Sequence, residues 1–147
     1  MEKISMKKII IINGPNLNLL GKRQPEIYGT QTFEDYFKEL EDRFPKVNLF
    51  YFQSNHEGAL IDKLHKFGFH FDGIILNAGG YTHTSIALMD AVSSIETPVV
   101  EVHISNIYER EEFRHLSYIE KVSVKSIVGK GLEGYAMAIE YLKNIEH

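Results

Sequence analysis

Glu101-Val102-His103 carries the sharpest chemistry in the chain. Residues two apart in a strand share a face, so this spacing sets a carboxylate beside an imidazole. A carboxylate there fixes the tautomer and favours the protonated ring, which suits a general acid. Asn77-Ala78-Gly79-Gly80-Tyr81-Thr82-His83-Thr84-Ser85 is a second candidate. Its small residues lead into a helix, and free backbone N–H groups at a helix N-terminus attract an anion or carboxylate. Asn77 and His83 add directional donors, and Thr84 or Ser85 supplies a cap. Arg114 closes the run Arg110-Glu111-Glu112-Phe113-Arg114 and can clamp a carboxylate with two parallel bonds. The segment from Asn13 to Gly29 holds Asn13, Asn16, Asn18, Arg23 and Tyr28, punctuated by Gly14, Gly21 and Gly29. A connection this long and this polar has the composition of a closing lid rather than of a disordered linker.

Two other patterns lead nowhere. His56-Glu57 opens like a zinc-protease motif, but Leu60 stands where the second histidine belongs. Gly129-Lys130-Gly131-Leu132-Glu133-Gly134 matches a dinucleotide fingerprint, yet too little chain follows for the helix, strand and acidic residue that motif requires. Those glycines read as a tight strand-to-helix turn.

The elements that must position these groups alternate. The spacing predicts strands over Lys8–Asn13, Val47–Phe52, Gly73–Ala78, Pro98–His103 and Val122–Val128. Phe33, Tyr36, Phe37, Leu40 and Phe44 share one helix face behind an N-cap at Thr32, with Pro45 as the stop. Ser54 and Glu57 have capping-box spacing before a helix that turns Leu60, Ile61, Leu64 and Phe67 inward and ends at Gly68. Ser85–Ser94 forms a further helix, and Leu132, Tyr135, Ile139 and Leu142 mark the last. This order implies an α/β fold: a flavodoxin-like, doubly wound, five-stranded parallel sheet with helices on both faces. Ligands of such sheets bind beyond the carboxyl ends of the strands, where the strand order reverses.

Composition narrows the function. The 147 residues carry 44% apolar and 24% charged side chains, ordinary for one globular domain spanning 1–147. Met6 offers an alternative start, so Met1–Ser5 read as a ragged terminus. A net charge of −4 supplies no basic excess for nucleic acid. The absence of cysteine removes disulfides, thiolate catalysis and Cys-bound zinc, and fits a reducing cytoplasm. No apolar run is long enough to span a membrane.

Five blocks resemble type II 3-dehydroquinate dehydratase: Gly14-Pro15-Asn16-Leu17-Asn18; Arg23 through Tyr28-Gly29; Gln53-Ser54-Asn55-His56-Glu57-Gly58; Asn77-Ala78-Gly79-Gly80 with His83-Thr84-Ser85; and Glu101-Val102-His103-Ile104-Ser105-Asn106. The resemblance spans about residues 7 to 142. One departure is Gln24, where the family commonly has glutamate. The resemblance implies anti elimination of water from 3-dehydroquinate through an enolate, in the shikimate pathway, with no metal and no cofactor. It implies Tyr28 as the base, with Arg23 stabilising tyrosinate. His103, oriented by Glu101, would protonate the leaving hydroxyl, and Asn16 would hold a water at the enolate. Asn77 and the backbone of Ile104 and Ser105 would meet the substrate carboxylate. His83 and Arg114 would hold ring hydroxyls. Asp90 would reach in from a neighbouring subunit of a homododecamer, a tetramer of trimers. The competing expectation is a non-catalytic small-ligand module of the same fold, which would lack Tyr28, Arg23 or His103.

Overall fold

Four consecutive isoleucines, Ile9 to Ile12, are all buried. Alternate side chains of a strand go to opposite faces, so this run demands a strand covered on both sides. That strand is β1 (Lys7–Asn13), an interior strand of a parallel sheet. Its partners are β2 (Val47–Gln53), β3 (Gly73–Asn77), β4 (Val99–His103) and β5 (Lys125–Val128), in the order β2-β1-β3-β4-β5. All pairings are parallel, as expected for the flavodoxin-like arrangement. The computed structural model describes residues 6–22, 24–28 and 30–146, and for residues 27 and 28 the backbone alone. The expectations for Arg23, and for the side chain of Tyr28, lie outside the described residues.

The helices cover the two faces. α1 (Pro25–Tyr28) is a single turn within the loop after β1, which also folds a 3₁₀ turn over Leu17–Leu19. α2 (Phe33–Arg43) starts where Thr32 accepts the Asp35 N–H. With α5 (Glu133–Asn144) it packs on the face bearing Ile9 and Ile11. α3 (Glu57–Phe67) and α4 (Ile86–Ser94) pack on the face bearing Ile10 and Ile12.

Two local expectations change. Ser54 and Glu57 form no capping box: His56 holds the N-cap position, Ser54 Oγ accepts the His56 N–H, and Glu57 accepts the Ser85 hydroxyl. Gly68 ends α3 as expected, with ordinary right-handed geometry. Glycine is needed there for space, because a Cβ would sit 2.4 Å from Ile95 Cγ2. The fifth strand begins at Lys125 rather than Val122, since Glu120–Val122 form a 3₁₀ turn.

The glycine turn after β5 has the role expected of it. Gly129 and Gly131 both adopt positive φ, and their N–H groups donate to the carbonyls of His103 and Ile104. The turn thereby pins the carboxyl end of β4, where the chemistry lies. Among the described residues no helix is long and apolar enough to cross a membrane.

Candidate active site

Strand order reverses between β1 and β3, and their last residues, Asn13 and Asn77, are paired in register. The two strands stay close beyond that point because Gly14 donates to Asn77 O at 2.7 Å. A Cβ on Gly14 would lie 2.6 Å from Ala78 O, so only glycine permits this approach. The crevice above is a cavity of about 210 Å³ lined by Asn16, Asn77, His83, His103, Ile104, Ser105 and Arg114. Seven of the residues expected from the sequence therefore meet in one place. Pro15, Leu17, Gly79, Gly80, Ile107 and Arg110 complete the lining.

A larger hollow of about 590 Å³ lies elsewhere, between α2 and α5. Its charged groups are already engaged: Arg43 grips Glu133 through two bonds of 2.8 and 2.9 Å, and Glu140 accepts from Asn144 Nδ2 at 3.1 Å. It offers no convergent donors, so the smaller polar cavity is the candidate site.

Glu101 and His103 sit side by side on β4, as their spacing requires. His103 Nε2 lies 2.8 Å from Glu101 Oε2. The imidazole N–H is not aimed along a lone pair, so the approach is an electrostatic contact rather than a directed hydrogen bond. Glu101 is wholly buried, behind the cavity wall rather than in it. Thr82 Oγ1 donates to its Oε2 at 2.6 Å, Ser117 Oγ donates to the same oxygen, and Ser126 Oγ donates to Oε1 at 2.6 Å. Burial alone pushes the Glu101 pKa up. The adjacent His103 and the Ser117 and Ser126 hydroxyls outweigh it and bring the carboxyl down to about 2. The sequence reading missed these three hydroxyls, which come from three separate segments and share no spacing with Glu101.

His83 stacks against His103 with ring centroids 6.5 Å apart. Its Nδ1 lies 2.7 Å from Leu116 O, and a carbonyl only accepts, so Nδ1 carries the proton. Burial holds the His83 pKa below the ordinary value, and the neighbouring His103 and Arg114 add to that against the pull of Leu116 O. A neutral His83 with a free Nε2 lone pair follows, an acceptor for a ligand hydroxyl.

Asn77 is held by its neighbours. Its Oδ1 accepts the Gly79 N–H at 3.1 Å, and its Nδ2 donates to Tyr135 Oη at 2.9 Å. Tyr135 in turn donates to Asn13 Oδ1 at 2.9 Å. Burial pushes the Tyr135 phenol up, so it stays a neutral donor. One Nδ2 proton of Asn77 remains for the cavity. Asn16 adopts a left-handed φ of 70°, tolerable for asparagine, and its N–H donates to Asn55 Oδ1 at 3.0 Å. Gln53 braces that contact, donating to both Gly14 O and Asn55 Oδ1. The segment after β2 thus positions Asn16.

Arg114 lines the cavity, but its Nε is engaged by Glu111. Arg110, read from the sequence only as the start of the charged run ending at Arg114, lines the same cavity and donates to Ser105 Oγ at 3.4 Å. Asp90 lies on the exposed face of α4, outside the lining of its own chain's cavity.

Comparison with known proteins agrees with this geometry. The family model for dehydroquinase class II matches residues 7–143. The chain is 53% identical over 142 residues to a 3-dehydroquinate dehydratase of Halothermothrix orenii, covering 95% of this chain and 96% of that one. It is 51% identical over 140 residues to the Bacillus subtilis 3-dehydroquinate dehydratase, covering 93% and 94%. The crystal structure of a type II dehydroquinase from Butyrivibrio crossotus superposes with a TM-score of 0.91 at 47% identity, covering 95% of this chain and 99% of that one. A match across nearly the whole length, joined to a cavity lined by the residues the resemblance singled out, places the chain in the class II dehydroquinase family.

Proposed function

We propose that the chain is a hydro-lyase that removes water from 3-dehydroquinate to give 3-dehydroshikimate. The observation that carries this reading is the buried Glu101–His103 pair opening on a cavity that also gathers Asn16, Asn77 and His83. In the reaction, Tyr28 takes the proton from C2 and the electrons pass into the C3 carbonyl as an enolate. The enolate collapses as the C1 hydroxyl departs, protonated by His103 to leave as water. Asn16 holds a water against the enolate oxygen. Asn77 and the Ile104–Ser105 backbone receive the substrate carboxylate, and His83 and Arg114 hold ring hydroxyls. The enzyme serves the shikimate pathway in the cytoplasm and uses neither metal nor cofactor.

The product is a conjugated enone, so 3-dehydroquinate added to the protein should generate a growing ultraviolet absorbance. Sodium borohydride added with substrate should leave the protein mass and the activity unchanged, and chelators should have no effect. A flat absorbance trace would refute the assignment. A covalent adduct on any lysine would replace the enolate route with an imine route.

The proposal extends to assembly. Asp90 is seven residues beyond His83 along the chain, carried along α4 and away from its own cavity. Its role requires the cavity of an adjacent copy, in a trimer that further assembles into a dodecamer. Asp90→Ala should therefore lower activity severalfold and weaken trimer association together. Dilution below the association threshold should lower the specific activity of the unaltered protein. Full activity in a monomer would end this part of the proposal.

A further inference from the structure

Glu101 Oε2 has more donors than it can accept. Thr82 Oγ1 lies 2.6 Å away, His103 Nε2 lies 2.8 Å away, and Ser117 Oγ is also in contact. A carboxylate oxygen offers two lone pairs. The two hydroxyls take them, and His103 Nε2 is left buried without a directed bond. Thr82 Oγ1 and Ser117 Oγ are themselves 2.7 Å apart, and either atom can be the donor. Each hydroxyl has a single proton. Their mutual contact becomes a hydrogen bond only when one of them turns its proton away from Glu101.

We propose that Thr82 and Ser117 form a proton-turning pair that yields an Oε2 lone pair to His103 when the imidazole is protonated, and reclaims it when His103 has given its proton up. This inference rests on the reading of His103 as general acid. Both hydroxyls are buried and neither lines the cavity, so they are positioning residues that act through Glu101. The pair solves a specific problem. A buried hydroxyl displaced from a carboxylate by an imidazolium would be left unsatisfied, at a substantial penalty. Here the displaced proton finds the other hydroxyl instead. Ser117 Oγ can receive it while still accepting the Glu120 N–H and donating to Glu101. Ser126 stays on Oε1 in both states.

The other titratable or charged groups around the pair are His83, stacked on His103, and Arg110 and Arg114, which line the same cavity. Tyr108 feels the Glu101 charge from the loop after β4. None of these reaches Oε2.

Thr82→Val removes both the competitor and the turning contact without changing side-chain shape. A Glu101 carboxylate with fewer donors depends more on imidazolium, so the acid should hold its proton to higher pH. The alkaline limb of the kcat–pH profile should move up by about 0.5–1 unit. kcat should fall severalfold, because a more firmly held proton makes a weaker acid. KM should stay unchanged. Ser117→Ala should move the limb in the same direction, which keeps the test open if Thr82→Val does not fold. Thr82→Ser restores the hydroxyl and should restore the original profile. A limb that stays in place or moves down in either folded variant overturns the proposal, as does a Thr82→Ser profile that matches Thr82→Val. His103→Asn separates the two readings. Near-normal kcat in that variant would remove the general-acid role itself, whereas an inactive His103→Asn beside an unmoved Thr82→Val limb would remove only the proton-turning pair.

Discussion

Tyr28→Phe should lower kcat by at least ~10²-fold with the fold intact, because it deletes only the phenol oxygen to which the proposed mechanism gives the substrate proton. An unperturbed phenol has a pKa of ~10, so the base needs an adjacent cation near neutral pH. In the proposed mechanism that cation is Arg23, five residues earlier in the sequence. A neighbouring guanidinium lowers a pKa by ~1–3 units, which is about the shift required. Arg23→Ala should accordingly move the basic group of the pH–rate profile to higher pH. Arg23→Lys should also be damaging, since lysine lacks the planar guanidinium and its fixed set of donors. Steady-state kinetics across pH decides the matter. Near-normal kcat in Tyr28→Phe would take the base assignment away, and an unchanged profile in Arg23→Ala would dissolve the pairing.

Glu101→Gln should damage both catalysis and acid resistance. An amide cannot balance imidazolium, and it presents an N–H where the surrounding hydroxyls and His103 also donate. The loss in kcat should be ~10²–10⁴-fold, the scale for removing the carboxylate that orients a catalytic histidine. The stability effect follows from the folded-state pKa of about 2 against the ordinary value of 4.5. The unfolded chain binds the proton more readily between these values. The stabilisation is therefore complete above pH 4.5 and is lost as pH falls toward about 2. Its size is on the order of 3 kcal/mol. His83 adds a separate slope at milder acidity. Its pKa is depressed on folding by burial, so the folded state resists a proton that the unfolded chain accepts below the ordinary value of 6.5. Urea unfolding measured across pH should show both slopes in the natural protein. Glu101→Gln should keep the slope set by His83 and lose the one below pH 4.5. A variant that retains that lower slope would show that Glu101 is not the group responsible.

Much of this protein is written in local spacing. The isoleucine run of β1, the helix face from Phe33 to Phe44 and the alternation of strands with helices are periodicities that only a covered parallel sheet satisfies. The two-residue interval between Glu101 and His103 put both on one face of β4, and Asn77 and His83 flank the loop that follows β3. These groups were legible because each depends on near neighbours in the chain. Capping was less so. Ser54 and Glu57 have the interval of a capping box, yet tertiary contacts claimed Glu57 for Ser85.

What no interval announces is which distant polar groups meet in the dry interior. Thr82, Ser117 and Ser126 converge on Glu101, and Tyr135 joins Asn13 to Asn77 from the far end of the chain. The sequence by itself determined the sheet, its helices and the residues fit to do chemistry, because backbone geometry turns spacing into faces. The tertiary structure decided how those residues are charged and aimed. A buried carboxylate or amide takes its protonation and orientation from whatever donors packing brings within hydrogen-bond reach, and packing joins segments with no fixed separation along the chain.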